Sequence, residues 1–137
     1  MTQEEIFLKS EADAWYKRNA HALFPHMHRR HDDIMTLLVA LLRRHRLPMK
    51  RVLEVGSTNG WRLEMLRRRT PRASYVGVEP SRAAMREGRR MFPELTLLRG
   101  TASALPVRGV FDFVLVMFVL HWVSRENLLA SIAEIDR

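Results

Sequence analysis

Arg51-Val52-Leu53-Glu54-Val55-Gly56-Ser57-Thr58-Asn59-Gly60 is the stretch whose reading decides the fold. Val52, Leu53 and Val55 make the apolar run of a buried parallel strand, and Gly56 and Gly60 bound a tight turn. Trp61 to Arg69 continues as a helix, so the turn brings backbone close to a ligand. A dinucleotide-binding turn reads G-x-G-x-x-G, and alignment on Gly56 puts Thr58 and Trp61 where glycines belong. Glu54, two residues before Gly56, repels a pyrophosphate and favours a cation.

S-adenosylmethionine carries a sulfonium and an ammonium beside its carboxylate, and it suits an acidic glycine turn better than NAD does. The segment Glu54-Val-Gly56-Ser-Thr-Asn-Gly60 resembles the first motif of class I S-adenosylmethionine-dependent methyltransferases, usually E/D-x-G-x-G-x-G, with Thr58 in place of the middle glycine. The resemblance implies a turn of Gly56, Ser57, Thr58, Asn59 and Gly60 cradling the methionine end of the cofactor. It also implies that Glu54 orients the ammonium.

Three further segments follow in the family's order. Ser74-Tyr-Val-Gly-Val-Glu79-Pro80-Ser81 reads as a second strand ending in a carboxylate, about twenty residues after the turn, as a βαβ unit requires. A carboxylate at that tip accepts both ribose hydroxyls, so Glu79, with Pro80 beside it, is expected at the cofactor. Ser81 caps a helix to about Phe92, with Ala84, Gly88 and Met91 toward the sheet and Gly88 allowing close approach. Leu95 to Pro106 resembles the family's G-D-A-x-x-L-P strand and loop, with Thr101 in place of the acid. The resemblance implies that Thr101, Ala102 and Ser103 meet the adenine, Thr101 through a hydroxyl that can still accept a bond. Phe111-Asp-Phe-Val through His121-Trp122-Val123 matches the family's fourth segment and is too short and too interrupted to span a bilayer. It reads as a strand from about Phe113 to Met117, with Met117 and Phe118 near the cofactor. Ser124 caps a last helix whose Leu128, Ile132 and Ile135 share a face.

The expected fold is α/β: a Rossmann-like methyltransferase sheet with helices on both faces, preceded by a helical N-terminal extension. Residues 1–48 form that extension or lid, and 49–137 the S-adenosylmethionine-binding domain in part. The family's sheet continues with a fifth strand and an antiparallel hairpin, for which the 137 residues hold no counterpart. The apolar fourth strand is then a sheet edge. Either the chain is a fragment, or an identical strand from a second copy covers the edge in a homodimer.

The N-terminal third reads as helical, punctuated by Pro25 and Pro48. Asp32 or Asp33 opens a helix to about Arg46, with Ile34, Leu37, Leu38, Leu41 and Leu42 as the stripe facing the sheet. Phe7, Ala12, Trp15 and Tyr16 lie at loosely helical spacing before Lys17-Arg18-Asn19. Similar small-molecule methyltransferases carry W-x-x-R-N segments that fold over the cofactor. The resemblance leaves Trp15 and Tyr16 as lid or as core, and Arg18 as a partner for the methionine carboxylate. His21, His26, His28 and His31 lack a Cys or a completing acid at ligand spacing, so no metal is expected there. His121, at the end of the fourth strand, is either packing beside Trp122 or a general base near neutral pH.

The net charge of +8 comes largely from arginines on the two helices after the first and second strands, Arg67-Arg68-Arg69 and Arg72, then Arg82, Arg86, Arg89 and Arg90. Without interleaved aromatics these read as solvated outer faces, which favours a small-molecule acceptor over nucleic acid. The N-terminus has no basic and apolar leader, and the chain has no Cys; both agree with a cytoplasmic protein. Two classes of function stand open: a methyltransferase acting on a small molecule, and a non-catalytic half-domain that binds cofactor or a protein partner.

Overall fold

The apolar run from Arg51 forms β1 (Arg51–Val55) between two parallel neighbours, and its side chains alternate between two cores. The structure, a computed structural model, describes residues 1–28 and 32–137, residues 23–28 by their backbone alone. β2 (Ser74–Glu79), β3 (Thr96–Arg99) and β4 (Phe113–Val116) complete a four-stranded parallel sheet in the order β3-β2-β1-β4. The chain steps outward from β1 to β3 and then returns to the other side of β1. That reversal opens a crevice at the carboxyl ends of β1 and β4, where ligands bind in open parallel sheets.

Helices cover both faces. α4 (Trp61–Arg69) follows β1, α5 (Arg82–Met91) follows β2, and α6 (Arg125–Asp136) follows β4. On one face Val52 and Tyr75 pack with Leu63, Leu66, Leu97 and Met35; on the other Leu53, Val55 and Val78 pack with Ala102, Leu105 and Ile135. Ser81 caps α5 through its hydroxyl, which accepts from the Ala84 N–H at 3.1 Å. Asp112 pins the start of β1, its carboxylate accepting from the N–H groups of Lys50 at 3.1 Å and Arg51 at 2.8 Å.

The N-terminal segment runs as α1 (Gln3–Ile6), a π-helical turn (Phe7–Glu11), α2 (Ala12–His28) and α3 (Asp33–Arg44). It is tied to α5 by Asp13, which accepts from the Ser81 hydroxyl at 2.7 Å and the Ala83 N–H at 3.0 Å. The Tyr16 hydroxyl donates to Glu87, and Tyr16 and Ala12 are buried. Tyr16 is therefore core, and the burial of its phenol raises its pKa.

Two apolar stripes differ from expectation. In α3 the buried residues are Met35, Val39 and Leu42, while Ile34, Leu37 and Leu41 are exposed. Both sets fit a helical period, and Met35 wins because α3 leans on α4 and its neighbouring core. The helix also ends at Arg44, before Arg46 turns to a φ of 52°. In α6 the small Ser131 is buried and Ile132 is exposed, so the inward face is rotated from the expected one. β4 stops at Val116, leaving Met117 in the loop.

Gly88 does bring α5 close. A Cβ there would stand 2.3 Å from the Asn59 carbonyl oxygen and 2.5 Å from Leu97 Cδ1. Gly88→Ala is expected to destabilise the fold by about 2 kcal/mol, measured by urea unfolding, because backbone rather than a flexible side chain must yield.

Candidate functional site

The turn after β1 is built to spend its amides on the protein. The N–H groups of Gly56 and Ser57 donate to the Val78 carbonyl at 2.8 and 3.1 Å, and the Thr58 N–H donates to Glu79 Oε2 at 2.9 Å. A turn whose N–H groups point back at β2 offers no nest for a phosphate. Thr58, in the position of the missing glycine, has a φ of 50°, in the left-handed region that a β-branched residue disfavours. Its hydroxyl donates to the Ser57 carbonyl at 2.7 Å, and its N–H bond to Glu79 holds it there.

Beside this turn lies a cavity of about 440 Å³ walled by Gly56, Thr58, Glu79, Pro80, Met117, Val119, His121 and Trp122. The N-terminal segment closes it with Phe7, Trp15, Asp32 and Met35. A smaller pocket of about 60 Å³ adjoins it, sharing Phe7, Gly56, Pro80, Val119 and Trp122 and reaching Thr101 and Ala102. Ser103 holds that loop, its hydroxyl 3.2 Å from that of Thr101 and donating to Glu4.

Glu79 is the acid of this wall. Both of its oxygens accept backbone N–H bonds, from Thr58 and, at 2.8 Å, from Ser81, and the residue is 7% exposed. Burial pushes its pKa up to about 7, helped by the Glu54 charge and opposed by the two N–H bonds and Arg62. Glu54 is fully buried and lies outside the wall; Arg62 lines the cavity instead, its Nε–H donating to Glu54 and its Nη2 to the Gly56 carbonyl at 3.1 Å. Burial raises the Glu54 pKa against the pull of that guanidinium.

Of the expected site residues, the structure gathers Gly56, Thr58, Glu79, Pro80, Thr101, Ala102, Met117, Trp15 and His121 around the two spaces. Ser57, Asn59 and Gly60 belong to the turn but are packed into the protein. Gly60 caps α4 with a φ of 86°, and Asn59 Oδ1 accepts from the Trp61 N–H at 3.3 Å. Arg18 is not at the cavity; its exposed side chain pairs with Glu11. His121 is exposed, with its ring 5.2 Å from that of Trp122. His21 is exposed, while the structure leaves the side chains of His26, His28 and His31 outside the described residues.

Sequence reasoning missed Arg62, Asp32, Val119 and the role of Phe7. Arg62 had a signal: it sits in the first turn of α4, where the helix dipole disfavours a cation. A buried acid must compensate, and Glu54 is that acid.

A family model described as a methyltransferase domain matches residues 52–137. The chain belongs to this methyltransferase domain family. The cofactor of the family is S-adenosylmethionine. No curated protein sequence matches the chain. Among solved structures, CalS10, an amino pentose methyltransferase from Micromonospora echinaspora, is 23% identical with a TM-score of 0.70, the match covering 85% of this chain and 49% of that one. A methyltransferase from Clostridium acetobutylicum is 16% identical with a TM-score of 0.69, covering 88% and 51%. The plantazolicin methyltransferase BpumL is 16% identical with a TM-score of 0.68, covering 98% and 56%. These likenesses show the fold, and the chain spans about half the length of the structures it matches.

The methyltransferase domain's cavity fits its family's cofactor. Its 440 Å³ lies within the roughly 300–1,000 Å³ of small-molecule sites, and its wall combines a buried acid, an arginine and apolar rings. The turn's lack of outward N–H groups agrees with a cationic rather than a phosphorylated ligand.

Two outcomes follow for the folded protein. Glu79 binds its proton more tightly folded than unfolded, so stability is highest below about pH 4.5 for this group and is lost as pH rises to about 7. The loss amounts to about 3 kcal/mol, read as the difference between wild type and Glu79→Gln in urea unfolding across that range. Thr58→Gly removes left-handed strain and is expected to add about 1 kcal/mol in the same assay.

Proposed function

We propose that this chain binds S-adenosylmethionine over the Gly56–Gly60 turn and serves methyl transfer to a small-molecule acceptor. The observation that carries the reading is Glu79: a buried carboxylate at the tip of β2, fixed by two backbone bonds and lining the cavity beside the glycine turn. Two accepted N–H bonds leave a carboxylate with lone pairs for a diol. Thr101, Ala102 and Ser103 would meet the adenine in the smaller pocket, where Gly100 to Ala102 lines the wall.

Bound S-adenosylmethionine supplies an electrophilic methyl group on sulfonium. The residues of the chain supply position, and holding two reactants in line removes much of the barrier. Phe7, Trp15, Phe118 and Trp122 give the cavity an apolar wall for the acceptor. His121, on the same wall, takes the acceptor's proton where that acceptor is a hydroxyl or an acid. Residues 1–48 act as the lid and 49–137 as the cofactor-binding part.

Several observations favour a small acceptor over nucleic acid. Arg82, Arg86, Arg89 and Arg90 are exposed along α5, and Arg67 and Arg68 pair with Glu64 on α4, away from the cavity lining. Among the described residues no helix is long and apolar enough to cross a membrane. A second reading is a half-domain that binds cofactor or a protein without turnover; among the described residues the edge of β4 is unpaired and apolar. Beside that edge lies a groove of about 520 Å³ lined by Leu53, Val107, Phe111, Val114 and Val116.

Calorimetric titration of S-adenosylmethionine and S-adenosylhomocysteine into the folded chain is expected to give a Kd of about 1–100 μM. Glu79→Ala should weaken it by roughly tenfold or more. No heat from folded protein sinks the enzyme reading, and binding without turnover of any acceptor leaves the half-domain.

A further inference from the structure

Arg62 occupies a place where a cation needs a reason. It is the second residue of α4, at the positive end of the helix dipole, and its side chain is only 8% exposed. The chain meets these costs from three sides. Glu54, on β1, accepts from Nε; the Gly56 carbonyl accepts from Nη2 at 3.1 Å; and the guanidinium carbon stands 5.1 Å from the Trp61 ring centroid.

A purely structural pair would be closed off, and this one is not. Arg62 lines the 440 Å³ cavity, whereas Glu54 is wholly buried behind it with its Oε2 lacking a hydrogen-bond partner. Arginine carries more N–H donors than Glu54 and Gly56 engage, and its planar fork matches a carboxylate. Among the described residues that line the cavity, Arg62 is the one side chain that is cationic at every physiological pH; Asp32 and Glu79 are acids. The amino-acid end of the cofactor is a zwitterion, so a site for it needs a cation as well as acids. Arg18, the arginine expected in that role, pairs with Glu11 in solvent.

We propose that Arg62 binds the carboxylate at the amino-acid end of the cofactor, and that Glu54 is a positioning residue that holds Arg62 against the glycine turn. The assignment rests on the cofactor reading above and moves Glu54 from ligand contact to support.

The test compares S-adenosylmethionine with its decarboxylated analogue, which keeps the sulfonium and the adenosine. Wild type should bind the parent at least roughly tenfold tighter, as a charge-assisted bond to a buried partner implies. In the Glu54→Gln/Arg62→Gln double variant, which removes both charges and leaves neither buried alone, the two ligands should bind alike. Equal binding by wild type, or undiminished preference in the double variant, overturns the assignment while the cofactor site stands. Binding of neither ligand by folded wild type overturns the cofactor reading and this one with it. A measurement on wild type alone guards against a variant that fails to fold: the ¹⁵N resonance of Arg62 Nε should shift with the parent and stay in place with the decarboxylated analogue. An equal shift with both, or none, refutes the proposal.

Discussion

The carboxylate of Glu79 joins pieces of backbone that lie far apart in the chain. Through the Thr58 N–H it holds the turn after β1, and through the Ser81 N–H it holds the start of α5. With Gly56 and Ser57 also donating to Val78, the turn commits its amides to β2 rather than to a ligand. The cavity is thereby acidic where a phosphate-binding turn would be rich in donors. Burying that acid raises its pKa, so the charge on the cavity wall depends on pH.

Such an arrangement requires layers that nearly touch. A Cβ at Gly77 would stand 2.5 Å from Ser57 Oγ, and one at Gly56 2.3 Å from Val119 Cγ2. The first contact presses the turn onto β2, and the second seats the loop after β4 on the turn. Thr58 keeps a side chain where glycine would relax, and its left-handed backbone survives because Glu79 and the Ser57 carbonyl hold it. Strain of that kind also occurs at Phe118, which lines the same cavity, and at Arg46, which does not.

The N-terminal segment and the outer edge of the sheet frame this centre differently. Asp13 and Tyr16 bind the segment to α5, and Phe7 and Trp15 thereby reach the cavity. At the opposite side, among the described residues, β4 pairs with β1 alone and the apolar groove beside it is uncovered. The cavity thus lies against the N-terminal segment, and the free edge of the sheet lies at β4.

The strands, the helices after β1, β2 and β4, the parallel sheet and the place of Glu79 were legible in the sequence. Each follows from a local rule: a short apolar run, glycine at a turn, serine at a cap, an acid about twenty residues beyond the turn. Side-chain partnership was not legible. Glu54 and the turn suggested a contact with the ligand's ammonium, yet only the packing of α4 on β1 brings Arg62 between that acid and the cavity wall. The inward faces of α3 and α6 were likewise undecided, since two apolar stripes fit one helical period and only the neighbouring surface selects between them. Sequence by itself determined the elements and their order, because these depend on near neighbours in the chain. Which charges meet, and which of them faces the cavity, was decided by tertiary structure, because burial sets the cost of every unpaired charge and forces a choice of partner.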